Sequence, residues 1–249
     1  MKIEGKGVII TGATSGIGYS LVRKLYERNA KILAVGKNEE ALKKLKEEFP
    51  EIKTFRLDLR DASARKGLIP SAYEILDGVD ILINNAGVGY FGSLLHSNWK
   101  DLQTIMEVNF WAPLDLSIEF AKFKNGEKAI IVNVISLIAF LPLPKWNIYA
   151  TSKSAERFIF MSLREELKDK GIKIINVYPP AVKTPFFEKT IGERSKPVGR
   201  AVSPDKVADK IVKSIIREKE EVFISFGDFL ASKILSSFSP TIVKIYGFR

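Results

Sequence analysis

The chain has 249 residues, 46% of them hydrophobic, enough for one large α/β domain with a well-buried core and too few for two comfortable ones. Lysine and arginine number 39 against 29 aspartate and glutamate, a net charge of +10. The bases are interleaved with acids, as in KNEEALKKLKEEF (37–49) and REELKDK (164–170), so the excess is that of solvated helix faces, and nucleic acid is not an expected partner.

The start MKIEGKGVIITG carries too short an apolar stretch for a secretory signal, and no run of about 18 uncharged apolar residues follows. Neither a leader nor a membrane-spanning helix is expected, and the expected compartment is the cytoplasm. Apolar runs of strand length occur at 7–11 (GVIIT), 31–35 (KILAV), 52–57 (IKTFRL), 79–84 (VDILIN), 129–135 (AIIVNVI), 172–178 (IKIINVY) and 221–225 (EVFIS). Helical periodicity fills the intervals at 16–28, 38–48, 61–77, 97–124, 148–170 and 204–219. Continuous apolar strands alternating with helices predict a parallel sheet covered on both faces, and right-handed crossovers make it a doubly wound α/β fold. No repeat, low-complexity tract or linker marks a boundary, so residues 1–249 are expected to form one domain. One long irregular stretch, 179–203, follows the sixth strand where such sheets bind ligands, and is expected to be a lid over the substrate site.

The first strand runs into Thr11-Gly12-Ala13-Thr14-Ser15-Gly16-Ile17-Gly18, and a helix follows at once. Glycines permit a tight turn and close backbone approach, while the helix N-terminus offers free N–H groups and partial positive charge to a pyrophosphate. The second strand ends at Val35-Gly36-Lys37-Asn38. An acid there would accept the 2′-hydroxyl of an adenosine ribose and repel a 2′-phosphate; this chain has none before Glu39 and offers Lys37 instead, so NADP is expected over NAD.

Tyr149 and Lys153 stand four residues apart in YATSK, on one face of the helix predicted over 148–170, and Ser136 lies thirteen residues upstream of Tyr149. A tyrosine with a pKa of about 10 is a poor proton donor at neutral pH, and a cation beside it favours the phenolate and lowers that value. This is the chemistry of alcohol–ketone interconversion. The lone His96 is expected to be structural, and with no cysteine in the chain neither a disulfide, nor thiolate chemistry, nor a zinc site is expected.

Taken together and in order, TGATSGIG (11–18), Asp58 in LDL, NNAG (84–87), Asn109, Ser136, YATSK (149–153) and PPAVKT (179–184) make the chain resemble the short-chain dehydrogenase/reductase family, in its ordinary branch, over about residues 5–225. The resemblance implies a single-domain Rossmann fold with a seven-stranded parallel sheet. It implies that Gly12, Ser15, Gly16, Ile17 and Gly18 line the diphosphate and that Asp58 and Leu59 border the adenine. Asn85, Ala86 and Gly87 would support the adenosine ribose, and Val182 and Thr184 would meet the carboxamide region of the nicotinamide. Tyr149 would be the general acid/base, Lys153 would lower its pKa and bind the nicotinamide ribose, Ser136 would hold the substrate oxygen, and Asn109 would hold a water behind Lys153. The chain departs from the family pattern at Pro180, where glycine is usual, at Ile135 and at Lys37, where arginine is frequent. The resemblance also implies a homo-oligomer, dimer or tetramer, with contacts through 97–124 and 148–170. A non-enzymatic dinucleotide sensor on the same fold is the alternative.

Leu137, Ile138, Phe140, Leu141, Leu143 and Trp146, with Phe186 and Phe187 of the lid, are expected near the pocket mouth, favouring an apolar carbonyl or alcohol as substrate. Phe226, Leu230, Ile234 and Phe238 recur every four residues and predict an amphipathic tail over 226–249, with membrane contact ranked behind pocket cover and subunit contact.

Overall fold

The computed structural model describes residues 1–124, 126–197, 201–230 and 232–233. In chain order the strands are β1 (Gly7–Thr11), β2 (Lys31–Gly36), β3 (Lys53–Arg56), β4 (Ile81–Asn84), β5 (Tyr90–Phe91), β6 (Ala129–Val134), β7 (Ile172–Tyr178), β8 (Ile191–Gly192) and β9 (Glu221–Phe223). The helices are α1 (Gly16–Tyr26), α2 (Glu39–Glu48), α3 (Ala62–Arg65), α4 (Leu68–Leu76), α5 (Trp99–Met106), α6 (Ala112–Lys124), α7 (Asn147–Leu167) and α8 (Pro204–Arg217). Seven strands form one parallel sheet in the order β3-β2-β1-β4-β6-β7-β9, as the alternating pattern predicts. The order reverses between β1 and β4, which opens a crevice at the carboxyl ends of these two strands.

Alternation along the strands feeds two cores. Val8 and Ile10 of β1 pack on one side with Leu21 and Leu25 of α1 and Ile211 and Ile215 of α8. Ile9 packs on the other side with Ile69 of α4, Phe120 of α6 and Phe160 of α7. Strands buried on both faces must be apolar throughout, which is why β1 and β4 show no polar alternation. Each fully buried Ile, Leu or Phe contributes about 1.5–3 kcal/mol relative to exposure.

Three expected elements differ in detail. The periodicity over 61–77 resolves into α3 and α4, broken at Lys66-Gly67. The long helix over 97–124 is two helices joined by a π-helical turn at Glu107–Trp111, which periodicity cannot reveal because the chain stays helical through it. The last turn over 148–170 tightens to a 3-10 turn at Lys168–Lys170, closed by Gly171 in a left-handed conformation. The irregular stretch 179–203 also has order of its own: β8 pairs with β5, and Val182 bridges Val202.

No helix among the described residues is long and apolar enough to cross a membrane. Of the expected tail, Phe226–Leu230 is helical, whereas Ile234 and Phe238 lie outside the described residues.

Candidate functional site

The turn after β1 passes through Gly12 at φ +63° and Gly16 at φ +55°, conformations that favour glycine. A Cβ on Gly18 would sit 2.1 Å from the Gly12 carbonyl oxygen, and one on Gly12 would sit 2.8 Å from the Ala86 Cα. The turn is thus folded tightly between α1 and the end of β4. Asn85 braces it: its Nδ2 donates to the Thr11 carbonyl at 2.8 Å and to that of Gly12 at 3.2 Å. The Thr11 hydroxyl accepts from the backbone N–H groups of Asn85 and Ala86 at 3.0 and 3.1 Å. Ser15 occupies the N-cap of α1, yet its side chain makes no capping bond and the first turn carries no acid. Those features leave the helix N-terminus suited to an anion, so the residues present fit a pyrophosphate. Ile17 packs its side chain onto the core below.

Lys37 is exposed at the end of β2, close enough to Asp58 to act on its carboxyl. Asp58 is engaged by Arg60, whose guanidinium holds that carboxyl below the usual range. Leu59 is buried beside it, and its carbonyl accepts from Arg65 at 2.5 Å. Arg65, 3% exposed, also pairs with Glu107 at 2.6 Å and Asp115 at 2.9 Å, tying this wall to the π-helical turn.

That turn presents Asn109, fully buried, whose Oδ1 accepts from the Val88 N–H and whose Nδ2 donates to the Val88 carbonyl, both at 2.9 Å. Its Nδ2 also reaches the Ser152 hydroxyl on α7 at 3.1 Å, and Ser152 donates to the Tyr149 carbonyl at 2.7 Å. One amide therefore fixes both the segment after β4 and the helix carrying Tyr149. Gly87 lies in the same junction: a side chain placed there would lie 3.5 Å from the Asn109 Oδ1 and 3.9 Å from the Lys153 Nζ.

Ser136 follows β6; its hydroxyl accepts from the Ile138 N–H at 3.2 Å and lies close enough to the Tyr149 phenol to lower its pKa. Tyr149 is 8% exposed, flanked by Trp146 at 5.6 Å and covered by Phe186 at 5.4 Å between ring centroids. Phe187 meets Trp146 edge-on at 6.0 Å. Thr184 lies over the glycine turn, since a Cβ on Gly16 would meet its Cγ2 at 2.8 Å. Val182 is buried at the start of the same loop, which is pinned by Val202.

One pairing was not expected, and one expectation needs correction. The Lys153 Nζ lies 2.7 Å from the Glu156 Oε2 and 3.2 Å from the Val134 carbonyl, and both members of the pair are buried. Burial first, and then the Glu156 carboxylate, push the Tyr149 phenol above its ordinary value, while only the Ser136 hydrogen bond lowers it. Burial likewise raises the Glu156 carboxyl, with Lys153 pulling it back. Phe140, in turn, does not line the pocket mouth: it packs on Tyr178 at 5.0 Å and Phe223 at 6.1 Å beneath the Arg157 guanidinium, in a satellite core.

Glu156 is the neighbour that motif reading passed over. Tyr149, Lys153 and Glu156 stand at i, i+4 and i+7, one stripe of a helix, and that spacing was available in YATSKSAE. The row Asn84–Asn133–Asn176 was not recognisable in the same way, because only parallel register aligns the three on adjacent strands, with links of 2.9 and 3.1 Å.

A family model described as short chain dehydrogenase matches residues 6–194. Uncharacterized oxidoreductase DltE of Bacillus subtilis is 30% identical over 226 residues, covering 89% of each chain. A fatty acyl-CoA reductase of Acinetobacter baylyi is 29% identical over 254 residues, covering 98% of this chain and 83% of the relative. Two solved structures share the fold at 22% identity. One is a short-chain dehydrogenase/reductase of Burkholderia phymatum in complex with NAD, with a TM-score of 0.87 and coverage of 97% and 96%. The other is a short-chain dehydrogenase of Burkholderia cenocepacia in complex with NADP, with a TM-score of 0.85 and full coverage of both chains. With the motif order, the sheet order and these matches in agreement, the chain belongs to the short-chain dehydrogenase/reductase family of oxidoreductases.

Proposed function

We propose that the protein is an NADP(H)-dependent oxidoreductase that interconverts a ketone or aldehyde and an alcohol, acting on an apolar substrate. The observation that carries this reading is the meeting of Ser136 with Tyr149, one helical turn from Lys153, beside the segment that braces the glycine turn. In this reading the dinucleotide supplies or accepts the hydride when bound. Its diphosphate would lie on Gly12, Ser15, Gly16, Ile17 and Gly18, its adenosine along Lys37, Asp58, Leu59, Asn85, Ala86 and Gly87, and its nicotinamide end against Val182 and Thr184.

Tyr149 gives its proton to the substrate oxygen in reduction and takes one back in oxidation. Ser136 donates a hydrogen bond to that oxygen as charge develops on it. Lys153 holds the nicotinamide ribose, and Asn109 fixes the helix on which Tyr149 and Lys153 stand. Phe186 and Phe187, on the loop over 179–203, exclude water from the reacting atoms, so the loop acts as a lid that moves aside for substrate. Lys37 favours a 2′-phosphate, because the acids near it are engaged by other cations, Asp58 by Arg60 and Glu39 by Arg56 at 3.7 Å. Trp146, Phe186 and Phe187 around the phenol favour an apolar substrate, and the relative named as a fatty acyl-CoA reductase has the same leaning.

The test is NADPH oxidation against a panel of ketones and aldehydes, with Tyr149→Phe as the control. The variant is expected to lose on the order of 10²–10⁴ in kcat, the usual contribution of a positioned general acid. Turnover that survives removal of the phenol would refute the assigned chemistry.

A further inference from the structure

Helix α8 carries Lys206, Lys210 and Lys213 at i, i+4 and i+7, one stripe of its surface. The three line a groove together with Asp205, Asp209 and Ile224. Those two acids do not neutralise them, because α1 takes both: Arg23 holds Asp205 at 2.8 Å and Lys24 holds Asp209 at 2.7 Å. Among the described residues the three lysines form no ion pair, so the stripe keeps its charge.

Immediately after Ile224 the chain turns into the short helix over Phe226–Leu230. Ser225 and Asp228 cap it reciprocally: the Ser225 N–H donates to the Asp228 Oδ2 at 2.8 Å, and the Asp228 N–H donates to the Ser225 Oγ at 3.1 Å. That cap occupies the only acid between Ser225 and Arg249. Phe229 meets Phe223 of β9 edge-on at 5.4 Å and anchors the helix to the sheet edge. Phe226 and Leu230, four residues apart, are left 78% and 48% exposed.

We propose that this face, the α8 lysines with Phe226 and Leu230, docks on an anionic lipid surface. The ammonium groups meet the headgroup charge, and the two apolar side chains enter the boundary with the acyl chains. Other occupants fit it less well. A second copy in a two-fold contact would bring one cationic stripe against another, and like charges across an interface are costly. The chain's own residues 229–249 cannot balance the stripe, since they add Lys233, Lys244 and Arg249 and no acid. A side chain as exposed as Phe226 does not cover the substrate pocket either. A layer that is anionic outside and apolar beneath satisfies both halves of the face. Docking of this kind does not depend on the reaction assigned above.

The test is cosedimentation of the full chain with vesicles of phosphatidylcholine alone and of phosphatidylcholine mixed with phosphatidylserine. The parent protein is expected to bind only the mixed vesicles and to be released as salt rises, because the attraction falls off within a Debye length. Binding to neither kind, or equally to both, would overturn the proposal without any variant. The triple variant Lys206→Gln, Lys210→Gln, Lys213→Gln is expected to lose roughly 100-fold in partitioning, at about fivefold per basic residue. The double variant Phe226→Ser with Leu230→Ser should lose about tenfold or more, since the apolar burial is withdrawn. The substituted side chains lie at or near the surface, so both variants are expected to keep the parental Tm. A double variant that binds like the parent would reduce the face to a general polyanion site and overturn lipid docking. So would a parent that binds a DNA duplex as tightly as the mixed vesicles.

Discussion

At the scale of single residues, charge placement decides the chemistry. Lys37 stands exposed at the strand end where a 2′-phosphate would sit, and lysine offers a point charge where arginine would offer a planar fork. A single charge-assisted hydrogen bond contributes about 1.5–3 kcal/mol, or roughly 10–100-fold in affinity. Lys37→Glu is therefore expected to weaken NADPH binding by about that factor while leaving NADH binding level or improved, measured by fluorescence titration of each nucleotide. An unchanged preference for NADPH would remove Lys37 from the selecting role. Asp58 shows why single-residue expectations need their neighbours: the carboxyl expected to face adenine is already engaged by Arg60, two positions on.

At the scale of elements, the glycine turn is a packing problem before it is a binding site. Gly18 does not have a positive φ; it is glycine because the Gly12 carbonyl and the Asn85 amide leave no room for a Cβ, at 2.1 and 2.7 Å. Gly7 is equally confined at the opposite end of β1, 2.1 Å from the Gly78 carbonyl. Overpacking of this kind costs about 1–3 kcal/mol, or roughly 2–12 °C in Tm at this size. Both Gly18→Ala and Gly7→Ala are expected to lower Tm within that range. Only Gly18→Ala should also weaken dinucleotide binding, as read by calorimetric titration; equal loss in both variants would mean the turn matters for stability alone. The π-helical turn is a second device of this scale, since the extra residue it accommodates aims Asn109 at Val88 and Ser152 together.

At the scale of the whole molecule, α5, the turn after it and α7 carry large apolar side chains at the surface. Trp99 is 71% exposed and Phe158 68%, and Trp111 and Met161 are exposed on the same elements. Exposed apolar side chains of this size mark interaction surfaces, and the homo-oligomer expected from the sequence would cover them with a second copy of the chain. The double variant Trp99→Glu with Phe158→Glu is expected to sediment as a monomer while the parent sediments as a dimer or larger. A monomeric parent would remove the expected homo-oligomer.

The sequence by itself determined the sheet and the framework of the candidate site. Apolar runs separated by helical periodicity fix strand and helix identity locally, and the motifs fall at strand ends because the chain must turn there. Ser136, Tyr149 and Lys153 could be singled out for the same reason, since two share a helix face and the third closes a strand. Tertiary structure decided the rest. Asn109 gained its partners from a π-helical turn that leaves no trace in periodicity, and Phe140 left the pocket mouth for Tyr178 and Phe223 because rings are drawn to the nearest apolar contact. The charge on Lys153 was legible in YATSK, but its compensation was not. Spacing can set Glu156 on the same stripe, whereas only packing removes the water that would otherwise have screened it.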